Sequence, residues 1–284
     1  MAEEGKGVVI PPTITLARPT GGAQVILVGA GGTGARVAGA LIKLLRRPDH
    51  LTVVDPDTIE EKNLERQHFV ERDLGKYKAE VVVDRLRGEA RRKGVEVEAI
   101  ISPFGMGMID GNSESIIIGC VDNRKARKSI WDAIGARGVR TRVNTFEARR
   151  VAAWIDVGNE LRTGQVALTL SHWPVTGVKS GDRSVDWTGV RRNVHAWTLP
   201  LLYPEMIEGE KEAEGQVACA DRLDLQSVSA NALAAAWAVT ALTWVLDEIP
   251  ISIVGQTFST LGGGAPLPML GVTQVESNYT VQVA

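Results

Sequence analysis

Short apolar runs, spaced by stretches of helical period, set the frame of this chain. Apolar runs of strand length fall at 24–28, 51–54, 95–101, 115–119 and 139–143, and helical patterns at 33–46, 76–92 and 124–136. That alternation, kept up to about residue 144, predicts an α/β fold: a Rossmann-like, doubly wound and mainly parallel sheet. The pattern then changes. VAAWIDVG and GQVALTL read as two strands joined by a Gly/Asn turn, an antiparallel extension of the sheet.

From 171 to 218 the sequence has little period. It holds Trp173, Trp187 and Trp197, several prolines and the charged run EGEKEAEG. A loop of that length in a compact domain is usually functional or mobile. The apolar stretch 228–246 is about the minimum length that spans a membrane, but it contains Ser229, Asn231, Thr240 and Thr243, is rich in alanine, and lacks flanking basic residues. It is read as a buried helix packed on the sheet, not a membrane segment. ISIVGQTF and GVTQVESNYTVQV then read as closing strands around a glycine/proline loop. The organisation expected is one domain over 1–284, with a nucleotide-binding core in 1–144 and the extension, long loop, helix and last strands in 145–284.

The core is assigned to nucleotide from the turn that comes after its first strand. In VILVGAGGTG, Gly29, Gly31 and Gly34 stand in GxGxxG register and Gly32 is extra. Glycines let backbone approach phosphates, and the helix N-terminus beyond them offers free N–H groups. NAD, FAD and ATP sites all use this turn. The next strand ends in Asp55, about 20 residues on, where a carboxylate accepts hydrogen bonds from a ribose. The residues after Asp55 favour a triphosphate: Asn63, Arg66 and Gln67 in NLERQ and Lys78 in GKYKA place amides and two fixed positive charges beyond the strand ends. Such charges stabilise phosphate oxygens during transfer. SIIIGCVDN delivers Asp122 and Asn123 at the end of another strand, and Asp122 is a candidate magnesium ligand, because Mg²⁺ takes one or two carboxylates plus phosphate oxygens.

GAGGTG, DPDxxxxxNLxRQ, GxxKA and CVDN, in this order and spacing, resemble the ThiF/MoeB/HesA family of ubiquitin-activating-type adenylating enzymes over roughly residues 25–144. AAWIDVGNELRTGQVAL, CADRLDLQSVSANALAAA and GAPLPM resemble its PRTRC-type ThiF-like subgroup. The resemblance implies ATP- and Mg²⁺-dependent joining of the C-terminal carboxylate of a ubiquitin-like or sulfur-carrier protein to AMP. It implies that Asp55 binds the ribose, that Asn63, Arg66 and Lys78 contact phosphates with Gln67 beside them, and that Asp122 binds magnesium. It makes the segment 171–218 the crossover loop that guides the partner's tail, and it implies a homodimer. Relatives often complete the site with an N-terminal arginine from a second subunit, for which Arg18 is the candidate here.

Two cysteines, Cys120 and Cys219, offer neither a disulfide framework nor the CxxC pairs with which many relatives hold zinc. Cys219 comes after the charged run and precedes a helix expected to start near Asp221, which would favour its thiolate. It is read either as the nucleophile that takes the activated partner as a thioester, as in some relatives, or as a small packing residue. Cys120, at a strand end beside Asp122, is read as packing under the nucleotide, with its thiolate disfavoured by that carboxylate.

Composition fits a cytoplasmic enzyme: 284 residues, 44% apolar and 23% charged, can bury a full core. The first residues are polar and acidic, and the next run is broken by two prolines, so no secretory signal is read there. A net charge of −2 gives no general attraction to nucleic acid, and argues against the tRNA-base carboxylates that some relatives activate. Two other readings stay open, a non-catalytic nucleotide-binding subunit of a heterodimer and an NAD-dependent oxidoreductase.

Overall fold

The computed structural model describes residues 18–19, 21–109, 115–134, 151–170, 227–251 and 253–268. In chain order these form β1 (Gln24–Val28), α1 (Gly34–Leu44), β2 (His50–Val54), α2 (Glu61–Leu64), α3 (Lys78–Lys93), β3 (Glu96–Ile100), β4 (Ser115–Gly119), α4 (Arg124–Ile134), β5 (Val151–Asn159), β6 (Thr163–Leu170), α5 (Val228–Leu246), β7 (Ile253–Ser259) and β8 (Pro266–Pro268). One sheet contains all eight strands in the order β3-β2-β1-β4-β5-β6-β7-β8. The first five are mutually parallel, and β6, β7 and β8 continue the sheet antiparallel.

The alternation of side chains on β1 explains the layers. Val25 and Leu27 face one core with α1, α3 and α5, whereas Ile26 and Val28 face a second core with α4. Ile116, Ile117 and Ile118 of β4 are fully buried between the two. An unbroken apolar run is what a parallel strand covered on both faces requires, and truncating any of these isoleucines to alanine costs about 2–5 kcal/mol. Helix ends obey local chemistry. α1 stops a few residues ahead of Pro48, and α3 ends at Gly94 in the left-handed conformation, φ 67°.

One expectation is corrected. Gly158 and Asn159 do not make the hairpin turn. They stay in β5, paired with Gln165 and Gly164, and the chain turns through 160–162, where Glu160 N–H donates to Thr163 O at 2.8 Å. Gly164 is needed for close approach, since a Cβ there would overlap the Phe258 ring. The alanine-rich helix α5 begins at Val228 with Ser227 as its cap, Ala230 N–H donating to Ser227 Oγ at 3.0 Å. The helix start expected near Asp221 lies outside the described residues. The strand expected at 139–143, the segment 171–218 and the last strand-like run lie outside the described residues.

α5 is the one helix among the described residues that is long and apolar enough to cross a membrane. Its Ala230, Ala234, Ala238, Leu242 and Val245 are buried in the core shared with α1, β5 and β6. The carboxyl ends of β1, β2, β4, β5 and β7 reach one edge of the sheet. Strand order reverses there between β1 and β4, the place where open α/β sheets bind ligands.

Candidate functional site

A cavity of about 1290 Å³ runs along this edge. Its wall begins at the glycine turn. Gly29 has φ +93°, and a Cβ on it would sit 2.5 Å from Cys120 O; a Cβ on Gly34 would overlap the carbonyl of Gly29. These two glycines let the turn close against β4 and let α1 start directly above it. Gly31 and Gly32 face the cavity. The turn is pinned to its neighbours: Gly29 N–H donates to Val54 O at 2.8 Å, and Cys120 N–H to Val28 O at 2.8 Å.

Asp55, at the end of β2, is buried and accepts from Ala30 N–H at 2.6 Å and from Asp57 N–H at 2.9 Å. Burial raises its pKa, opposed by the Ala30 hydrogen bond and by Lys78. Lys78, the first residue of α3, lines the cavity and donates from Nζ to Asp57 Oδ2 at 2.8 Å. Arg66 and Gln67 line the same wall. Gln67 Oε1 is buried without a partner, and the amide lies beside Gly31. An unsatisfied buried acceptor at a cavity wall is a place for a ligand donor. Asn63 is placed differently from the expected phosphate contact. It is buried off the wall, its Oδ1 accepts from Glu60 N–H at 2.9 Å, and its carbonyl accepts from Gln67 N–H at 3.0 Å. It holds the short helix α2 and the turn after it, from which Arg66 and Gln67 come.

At the end of β4, Asp122 and Asn123 are exposed at the cavity. Asn123 Oδ1 accepts from Ala126 N–H at 2.8 Å, capping α4, and its Nδ2 donates to Asp122 Oδ1 at 3.1 Å. Behind them lies a pair not anticipated from sequence. Arg127 Nε lies 3.2 Å from each carboxylate oxygen of Asp156 in β5, and Arg127 Nη2 donates to Val121 O at 3.0 Å. Burial raises the pKa of Asp156 and Arg127 opposes it. Burial also pushes the Cys120 thiol far up, and the carboxylate beside it is Asp156. Cys120 lines the cavity with its thiolate form disfavoured. Cys219 lies outside the described residues.

The glycine turn is also tied to the far half of the chain. The Thr33 hydroxyl lies 3.1 Å from Asn159 Oδ1 and 3.0 Å from Asn231 Oδ1, and Asn159 Nδ2 donates to Asn231 Oδ1 at 2.8 Å. Asn231 is fully buried in the first turn of α5. Its signal in the sequence is a lone amide in an alanine-rich helix, which demands buried partners. Arg18 sits at the opposite end of α5. It pairs with the buried carboxylate of Asp49 and donates from Nη1 to Leu246 O at 3.1 Å. A 19-residue helix is about 28 Å long, so Arg18 is held at the edge of the sheet remote from the cavity.

A parallel sheet with a glycine turn, a buried carboxylate at the next strand end and cationic side chains around one cavity defines a nucleotide-binding α/β protein. The model of the ThiF family matches residues 21–168, and the chain belongs to that family. Among solved structures it resembles E. coli MccB bound to MccA-N7isoASN (16% identity, TM-score 0.51, covering 87% of this chain and 64% of that one). It also resembles PaaA (17%, 0.51, 88% and 65%) and MccB with ATP (17%, 0.51, 88% and 64%). The chain thus spans under two thirds of these proteins. No match was found among curated protein sequences.

Proposed function

We propose that this protein binds ATP in the cavity and transfers its adenylyl group to the C-terminal carboxylate of a ubiquitin-like or sulfur-carrier protein, releasing pyrophosphate. The observation that carries the reading is the charge arrangement around one cavity. Asp55 lies beside the glycine turn, accepting from Ala30 N–H, and Arg66, Lys78, Lys125 and Arg127 line the same cavity. Lys78 and Arg127 are paired with Asp57 and Asp156, whereas Arg66 and Lys125 have no ion pair among the described residues, and a dinucleotide has little use for such cations. A triphosphate meeting a carboxylate does, because both partners are anionic and must be brought together.

Room for a second substrate supports the same reading. Ligand pockets usually measure about 300–1,000 Å³, and this cavity, at about 1290 Å³, continues past β4 to the β5–β6 turn and the β7–β8 loop. Asn159, Thr163, Gln165, Thr257 and Ser259 line that half, with Glu160 its one charged lining residue. Its mostly uncharged polar lining suits a peptide tail. MccB has been solved with ATP and with MccA.

Asp122 is the candidate ligand for Mg²⁺. It is exposed at the cavity, and one of its oxygens takes no hydrogen bond from Asn123. A single carboxylate completed by phosphate oxygens and water is normal for this ion, which would neutralise phosphate charge when bound. The partner's carboxylate is already ionised, so no general base is required. In the same proposal the protein is a cytoplasmic homodimer, and Cys219 receives the adenylated tail as a thioester.

The test is ATP–pyrophosphate exchange with a panel of ubiquitin-like and sulfur-carrier proteins, each intact and with its tail deleted. Exchange with an intact member only is expected. The commitment of Arg18 to the buried Asp49 favours a second reading, a nucleotide-binding subunit without activity of its own. ATP binding with no exchange across the panel would support that instead.

A further inference from the structure

We propose that Lys125 is a catalytic residue of this site, a cation that holds the junction where the partner's carboxylate meets the α-phosphate. The inference rests on the adenylation reading. Of the four cationic side chains on the cavity wall, Lys78 is committed to Asp57 and Arg127 to Asp156. Arg66 and Lys125 have no ion pair among the described residues. Arg66 stands on the β2 side, with the ribose carboxylate and Lys78. Lys125 stands on the first turn of α4, directly after β4.

Topology gives that position its meaning. β4 separates the nucleotide half of the cavity, at β1 and β2, from the half at β5, β6 and β7, where Glu160 is the one charged lining residue. A tail entering along that second half meets a nucleotide lying on the glycine turn at the end of β4. Lys125, Ala126 and Ser129 of α4 line the cavity at that point, with Asp122 just ahead of the helix; positions three and four apart share a helix face.

The local sequence is also wrong for a helix that serves only structure. Arg124, Lys125 and Arg127 crowd the N-terminal turn of α4, and that turn has no acidic residue. Cations at this end oppose the helix dipole, and acids are favoured there. Asn123 caps the helix, so the N-terminus is otherwise conventional. Arg127 is accounted for by Asp156. Lys125 is exposed, lines the cavity and has no ion pair among the described residues, and an anion at the β4 end satisfies both it and the helix terminus. Local rules are broken chiefly where function demands it.

In the step it serves, a carboxylate oxygen of the tail forms a bond to the α-phosphorus. The bond from that phosphorus to the oxygen bridging to the β-phosphorus breaks, and its electron pair leaves with pyrophosphate. No proton moves. Lys125 screens the carboxylate as it approaches and the oxygens of the α-phosphate as they crowd, which raises turnover more than it raises ATP affinity.

The experiment compares the full chain with Lys125→Met and Lys125→Arg by calorimetry, using two probes, Mg·ATP and glycyl sulfamoyl adenosine. The second probe stands for the acyl-adenylate, with a sulfamate in place of the α-phosphate and an acyl group attached. Lys125→Met should leave ATP affinity within about threefold and weaken the mimic by about tenfold or more, with Lys125→Arg restoring most of it. An unchanged mimic affinity in Lys125→Met overturns the proposal. So does a loss confined to ATP, which would place the lysine at the pyrophosphate end. If the unaltered chain binds neither probe, the adenylation reading itself fails, and the assignment of Lys125 falls with it.

Discussion

Lys78 and Asp57 hold each other twice. Lys78 Nζ donates to Asp57 Oδ2 at 2.8 Å, and Lys78 N–H donates to Asp57 O at 2.9 Å. The pair is unequal, for the lysine side chain is 10% exposed and the carboxylate 63%. The lysine is therefore fixed at the cavity wall while its counter-ion can turn to water. An arriving phosphate exchanges with Asp57 without moving the lysine far.

Asp57 therefore competes with the nucleotide. Asp57→Asn removes the competing acceptor and one negative charge from a site that takes a polyanion. ATP binding should tighten by about threefold or more, with stability changed by less than about 1 kcal/mol because the carboxylate is exposed. Titration calorimetry and urea unfolding read both. Weaker binding would show that Asp57 serves the nucleotide directly.

Asp55 gives a prediction with a sign in pH. Burial raises its pKa above the ordinary value of about 3.9, so the folded chain holds this proton more tightly than the unfolded one. Its contribution to stability is full below the ordinary value and is lost as pH rises through the raised one. Asp55→Asn removes that dependence. Measured by urea unfolding, the variant should gain on the unaltered protein between about pH 4 and neutrality. A flat difference, or one of opposite sign, would mean that the Ala30 and Asp57 hydrogen bonds outweigh burial.

The glycine turn and α5 should behave as one unit. A Cβ on Gly32 would lie 2.5 Å from Asn231 Nδ2, and Asn231 is buried and held by Thr33 and Asn159. Asn231→Ala should cost about 1–3 kcal/mol through the polar groups it leaves unpaired. Gly32→Ala should be less costly in the Asn231→Ala background than alone. Gly34→Ala should gain nothing from that background, because its obstacle is the carbonyl of Gly29. Additive costs for Gly32→Ala and Asn231→Ala would separate the two elements.

What the sequence made legible was local. The glycine turn, Asp55 at the end of its strand and Asp122 at the end of β4 can be read from patterns a few residues long, and so can the alternation of strands and helices. Asp156 was hidden because its partner, Arg127, comes from another element, and an aspartate inside VAAWIDVG carries no mark of an ion pair. Asn231 was noticed only as a polar residue in an apolar helix, because the turn it braces lies nearly 200 positions away. Gly158 misled for the same reason. A glycine beside an asparagine usually signals a turn, but this one stays in β5, and a Cβ there would come 3.3 Å from Arg127 Nη2.

The central claim is that the cavity is built for ATP. Calorimetric titration with Mg·ATP, with NAD in parallel and Lys78→Ala as the control, tests it without knowledge of the partner. Saturable ATP binding, weakened about tenfold or more by Lys78→Ala, with no binding of NAD, is the predicted result. Binding of NAD alone would contradict the account and return the glycine turn to a dinucleotide.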